Sequence, residues 1–122
     1  MQVVEVRPVA LERLARVLSS ERVQALRAAA ARARANFGDR VIWHVNATAR
    51  GGGVAEMLQT LLAYGIGAHI DNRWLVLDGD PEFFSITKRI HNLLHGDAGD
   101  GGELGEPEHA HYRQVLAANV SE

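Results

Sequence analysis

The sequence predicts an α/β fold, a few parallel strands flanked by helices, on three observations. From residue 41 onward, strand-like and helix-like stretches alternate. The glycine run Gly51-Gly52-Gly53 joins the first strand of that series to its helix, and Asp80-Pro81 opens the next helix just after the second strand. Such alternation implies parallel strands joined by right-handed crossovers. A complete sheet of this class has more strands than these 122 residues supply, so a partial sheet with an open edge is expected.

Each element follows from its local pattern. Residues 3–6 are β-branched and apolar and predict a small strand, ended by Pro8. From Ala10, Leu11, Leu14, Val17 and Leu18 recur at helical spacing. Ser19 and Ser20 interrupt them and can cap a second helix, on which Val23, Leu26, Ala30 and Ala33 share a face. Gly38-Asp39 signals a turn. Val41 to Asn46 reads as a buried strand, with Trp43 and His44 structural within it. Val54, Met57, Leu58, Leu61 and Leu62 predict a helix that Gly65 and Gly67 stop. Arg73 to Asp78 is a second strand. Asp80 as cap and Pro81 at the first helical position start a helix to about His95. Phe83, Ile86, Ile90, Leu93 and Leu94 face inward on it and Gly96 terminates it. A glycine-rich loop follows, then a last helix with Tyr112, Val115 and Leu116.

Composition narrows the function. At 47% hydrophobic the chain can bury a core, and its length suits one domain. Thirteen Lys and Arg against 15 Asp and Glu give a net charge of −2, which argues against a nucleic-acid partner. The arginines between Arg22 and Arg40 read as a solvated helix face. Without cysteine there is no disulfide, thiolate chemistry or Cys-based zinc site. No apolar run nears the ~18 residues of a membrane span. Met1 to Arg7 also lacks the pattern of a signal peptide. The expectation is a cytoplasmic protein with no membrane partner.

Two stretches carry candidate chemistry. Asn46 to Glu56 places three glycines between a strand and a helix, where a ligand can approach the backbone and meet the helix's unpaired N–H groups. The run is neither a P-loop nor Gly-x-Gly-x-x-Gly, and a tight turn holding no ligand explains it equally. On the helix after Pro81, Lys88, His91, Asn92 and His95 share a polar face, which by spacing alone is also that of a solvated helix. His91 and His95 have the spacing of zinc-protease histidines, but Asn92 stands where the Glu base is required. No metal site is therefore expected. Asp80 is a cap rather than half of a carboxylate pair with Asp78.

Residues 43–58, WHVNATARGGGVAEML, and residues 73–96, RWLVLDGDPEFFSITKRIHNLLHG, together resemble the trehalose-synthase glycosyltransferases of glycosyltransferase family 4. The family's patterns there are close to V-N-S-T-x-x-G-G-G-V-A-E-x-L and R-W-x-V-I-x-G-x-x-x-F-F-x-V-T-K-x-x-H-N-x-L-x-G. The resemblance covers about residues 41–113. It implies a GT-B architecture, two Rossmann-like domains facing across a cleft. This chain would be an incomplete N-terminal, acceptor-side domain with a partial Rossmann-like sheet. Its segments would be a mainly helical lead-in at 1–40, a βαβα unit at 41–96, a Gly-rich loop at 97–106 and a terminal helix at 107–122.

The resemblance also implies an activity. Glucose would pass from a nucleotide-diphosphate glucose to glucose, forming trehalose with retention of configuration; a phosphorylase branch acts reversibly on trehalose and phosphate. Gly51, Gly52 and Gly53, with Asn46 of the same motif, would lie against the acceptor sugar and the donor's phosphates. Lys88, His91 and Asn92 would line the acceptor side, orienting a hydroxyl, while backbone N–H groups stabilise charge on the departing diphosphate. No catalytic residue is assigned, and no cofactor is expected beyond the nucleotide-sugar substrate. Ala47 departs from the family's Ser. The family's C-terminal domain, with its basic diphosphate-binding residues, has no counterpart in these residues, so turnover by this chain alone is not expected. A homo-oligomer formed through the incomplete sheet or exposed apolar helix faces is the alternative, non-catalytic reading. A stand-alone anion binder is the third.

Overall fold

The computed structural model describes residues 1–121. The chain folds as two compact units, one of Gln2–Val76 and one of Met1 with the residues from Leu77 onward. The first holds β1 (Gln2–Val4), a 3₁₀ segment (Leu11–Arg16), α1 (Ser20–Phe37), β2 (Ile42–Asn46), α2 (Gly53–Gly67) and β3 (Asn72–Val76). Its three strands lie in the order β1-β3-β2. β2 and β3 are parallel, in register from Ile42 beside Asn72 to Asn46 beside Val76. This is the pairing that strand–helix–strand alternation predicts.

β1 adds an antiparallel strand to this parallel pair. It occupies Gln2–Val4 rather than 3–6 and runs antiparallel to β3, with Val3 opposite Leu75. A few β-branched residues announce a strand, but its direction is settled by a partner far along the chain.

The strands alternate in their exposure. On β3, Trp74 and Val76 are buried with Ala55 and Leu62 of α2, and Val4, Val6, Ala49, Leu58 and Ile66 pack around them. Trp74 is only 1% exposed. Burying an aromatic surface of about 200 Å² contributes roughly 5 kcal/mol, so this indole anchors the unit.

Two helical expectations are revised. The stretch from Ala10 tightens into a 3₁₀ segment, with Arg13 N–H donating to Ala10 O at 3.1 Å. In α2, Gly65 lies inside the helix, and Gly67 is its last residue. The closure just beyond is made by His69, a left-handed residue with φ 60°, where His69 N–H donates to Ile66 O and Ile70 N–H to Gly65 O at 2.9 and 3.1 Å. This is the Schellman pattern with histidine in the usual glycine place. Gly67 also serves close packing: a Cβ there would lie 2.0 Å from Val9 O. Val9 N–H meanwhile donates to Ala63 O at 2.8 Å, so the segment before the 3₁₀ turn crosses the last turns of α2. On α1, Ser19 caps the helix by accepting Arg22 N–H, and Arg34 donates to Ala68 O at 2.7 Å.

The second unit contains α3 (Pro81–Leu94) and α4 (Glu106–Val120). The terminal helix expected to reach residue 122 ends at Val120, and Glu122 itself lies outside the described residues. Asp80 Oδ1 accepts Phe83 N–H at 2.8 Å and Pro81 opens the helix, as that pair predicts. Phe83 stacks on Tyr112 of α4 with centroids 5.4 Å apart. The buried Asn119 donates to Asp78 O and Val115 O and accepts Asp78 N–H, pinning the end of α4 to the loop before α3.

Phe83 and Ile86 are buried, but Leu93 is 57% and Leu94 80% exposed. The inward stripe expected along α3 is thus confined to its first half, where Tyr112 of α4 stacks on Phe83. Gly96, with φ 75°, closes α3 through Asp97 N–H to Asn92 O and Gly96 N–H to Leu93 O. Among the described residues, no helix is long and apolar enough to cross a membrane.

Candidate ligand-binding site

The glycine loop lies in the first unit, at the carboxyl end of β2. Gly51 and Gly52 take φ values of 76° and 83°, a region in which a side chain is strained. Gly52 is the N-cap of α2, and no side chain caps that end. The opening N–H groups of the helix therefore face outward at its positive end. A Cβ built on Gly51, Gly52 or Gly53 would meet nothing within 4 Å. Gly53 differs from its neighbours, because its φ lies outside the left-handed region as well.

The residues before the loop are held by a chain of hydrogen bonds. Trp74 Nε1–H donates to Asn46 Oδ1 at 2.6 Å. Asn46 Nδ2–H donates to Thr48 O at 2.8 Å. Thr48 Oγ1 donates to Arg50 O at 2.6 Å and accepts Arg50 N–H at 3.2 Å. Both polar ends of Asn46 are thus engaged within the chain. Sequence reading passed over Trp74 and Thr48; the one local signal was Asn-x-Thr, a pairing common in side-chain-stabilised turns.

Lys88, His91, Asn92 and His95 belong to the second unit, on α3. Lys88 and His91 are exposed and Asn92 is half-buried. The His91 and His95 rings stack at 4.3 Å, and His95 Nδ1 bonds His91 O at 2.8 Å. Asn92 lies beneath the glycine-rich loop, where a Cβ on Gly99 would come 2.7 Å from its Nδ2. Arg89 ties that loop down, its Nε donating to both carboxylate oxygens of Asp100 at 2.9 and 3.0 Å. The Arg89 guanidinium, and after it the Gly102 amide, hold the Asp100 carboxyl below its ordinary range.

A further polar pair escaped sequence reading. His111 Nε2 meets Asp80 Oδ1 at 3.0 Å. The Phe83 amide, and next the His111 ring, lower the Asp80 pKa, while the bond to Asp80 raises that of His111. Beside them a hollow of about 390 Å³ is lined by Asp78, Gly79, Asp80, Gln114, Val115 and Asn119, among others. Among the described residues, no group of three or more His, Cys, Asp and Glu side chains is placed to hold a metal ion.

Comparison with known proteins decides the family. The family model described as "Trehalose synthase, N-terminal domain" matches residues 44–122. The chain belongs to this trehalose synthase N-terminal domain family. The trehalose synthase of Thermococcus litoralis is 40% identical over 87 residues, 71% of this chain and 20% of that protein. The trehalose synthase of Rubrobacter xylanophilus is 48% identical over 59 residues, 48% of this chain and 14% of that protein. A trehalose phosphorylase of Pleurotus pulmonarius is 38% identical over 53 residues, 43% of this chain and 7% of that protein. The chain thus spans about a fifth of the length of the Thermococcus relative it matches. Its three-stranded mixed sheet with flanking helices is a partial Rossmann-like arrangement of that N-terminal domain. Both candidate stretches, Asn46 with Gly51–Gly53 and Lys88 with His91 and Asn92, fall inside the matched residues.

Proposed function

We propose that this chain supplies the acceptor-side wall of a retaining GT-B glycosyltransferase that moves glucose from a nucleotide-diphosphate glucose onto glucose to make trehalose. The observation that carries the reading is Gly53. Neither backbone conformation nor packing within the chain requires glycine there, because its φ is ordinary and its Cβ position is open. A glycine at the uncapped start of α2 leaves room for an outside group to reach the helix amides. Sugar hydroxyls and phosphate oxygens have the matching chemistry. Lys88, His91 and Asn92, in the second unit, take the acceptor-side role that the family resemblance implies, and Lys88 carries a charge that makes no ion pair among the described residues. No metal or cofactor is needed for this positioning role. The donor's opposite wall is supplied by sequence outside residues 1–122, so this polypeptide alone binds without turnover, in the cytoplasm.

The test is titration of the purified chain, followed by amide NMR, with glucose, trehalose, inorganic phosphate, inorganic pyrophosphate and UDP-glucose, together with an assay for trehalose. Expected are shifts at Gly51–Gly53 with the phosphate-bearing probes and no trehalose formed. Unmoved glycine amides with every probe would defeat the reading. A response to phosphate and trehalose but not to UDP-glucose would favour the phosphorylase variant.

A second reading has its own observation. β2 is a sheet edge, and Trp43, Val45 and Val3 are 50%, 53% and 68% exposed. An apolar face beside an open edge favours a self-associating module. Light scattering that finds only monomer at high concentration would remove it.

A further inference from the structure

We infer that Trp74 is a positioning residue for the glycine loop and acts through Asn46. The inference rests on the proposed ligand role of that loop and assigns Asn46 to holding the loop rather than to touching the ligand. Trp74 is 1% exposed and belongs to the core that joins β3 to α2, so its ring has one orientation. Its single N–H is spent on Asn46 Oδ1 at 2.6 Å. That bond orients the Asn46 amide, whose Nδ2 then donates to Thr48 O. Thr48 in turn clasps Arg50 through both its N–H and its carbonyl. Arg50 is the residue before Gly51, where the backbone enters its left-handed stretch.

The three side chains therefore form one polar path from the interior to the first loop glycine. Glycines at 51, 52 and 53 have no Cβ contacts to hold them, so their order must come from the residues before them and the helix after them. A loop that presents amides to an anion loses affinity when it must first be ordered. The parallel register explains why this tryptophan can do it. Asn46 stands opposite Val76, and Trp74 lies two residues back along β3 on the same face, within reach of the Asn46 side chain.

The experiment compares wild-type chain with Trp74→Phe, which keeps a core ring and removes the N–H. A second variant, Asn46→Asp, keeps the acceptor for Trp74 and removes the donor to Thr48. Amide hydrogen exchange is read at Thr48–Gly53 and at the β2–β3 ladder, and inorganic pyrophosphate is titrated by NMR. In both variants loop exchange is expected to rise by about five- to tenfold, the effect of one hydrogen bond, and in Trp74→Phe pyrophosphate affinity to fall by the same factor; Asn46→Asp adds a charge that itself repels the probe, so it is read by exchange alone. The ladder amides should stay at wild-type rates in Asn46→Asp, while in Trp74→Phe they also accelerate through lost core packing. Unchanged loop exchange in either variant would overturn the inference, and so would ladder amides in Asn46→Asp that accelerate as much as the loop. If Trp74→Phe does not fold, Asn46→Asp carries the exchange comparison. If pyrophosphate does not bind the wild-type loop, the proposed function fails, while the exchange rates still decide whether Trp74 orders the loop.

Discussion

Replacing Gly67 with alanine sets helix propensity against packing, and the structure decides the winner. Alanine in place of glycine favours a helix by up to about 1 kcal/mol. At Gly67, however, the new Cβ would stand 2.0 Å from Val9 O and 2.6 Å from Val9 C. These are backbone atoms and cannot swing aside as a side-chain tip can. Non-bonded heavy atoms rest roughly 3.5 Å apart, so the Val9 segment must retreat by about 1.5 Å. That movement breaks the 2.8 Å bond from Val9 N–H to Ala63 O, a loss of about 1 kcal/mol. Overpacking adds about 1–3 kcal/mol. After the propensity gain is subtracted, Gly67→Ala should lose about 1–3 kcal/mol. Urea unfolding followed by tryptophan fluorescence reads this as a midpoint lower by roughly 1 M at unchanged slope. Gly53→Ala is the control, because its Cβ enters open space. A Gly67→Ala midpoint at or above wild type would refute the packing argument.

Three further outcomes follow from the geometry. His69→Gly should raise stability by several tenths to about 1 kcal/mol, since His69 holds φ 60° at the end of α2 and glycine reaches that region without strain; thermal melting checks it. Asn119→Ala should lower stability by about 2–3 kcal/mol, because it strands the Asp78 N–H and C=O that the buried amide satisfies; urea midpoints check it. The Asp80–His111 pair should shape the pH profile from both sides. His111 has a raised pKa, so its contribution is complete below the ordinary value of about 6.5 and is lost as pH rises through the raised one. Asp80 has a lowered pKa, so its contribution is present above about 3.9 and is lost as pH falls through the lowered one. Melting temperature should therefore peak between those limits, and His111→Phe should flatten the alkaline limb while leaving most of the acid limb, which arises first from the Phe83 amide.

Much of the fold is legible residue by residue. The order from β2 to α3, the cap at Asp80, the stop at Gly96 and the glycine run before α2 all depend on near neighbours. Strand periodicity, cap chemistry and left-handed glycines act over a few residues, so the letters themselves carry them. The candidate ligand residues are legible in the same way, as two motif blocks within the family match.

What the sequence alone determined, then, was the succession of elements and the places where backbone is left open. Tertiary structure decided the rest. It set β1 against β3 in the antiparallel sense and brought Gly67, the last residue of α2, against Val9. It exposed Leu93 and Leu94, and it tied Asn46 to Trp74 and Asn119 to Asp78. The physical reason is common to all of these. Each outcome is an energy of pairing between groups well separated along the chain, or the lack of a partner that local periodicity cannot register, and it exists only once the backbone has brought those groups within a few ångströms.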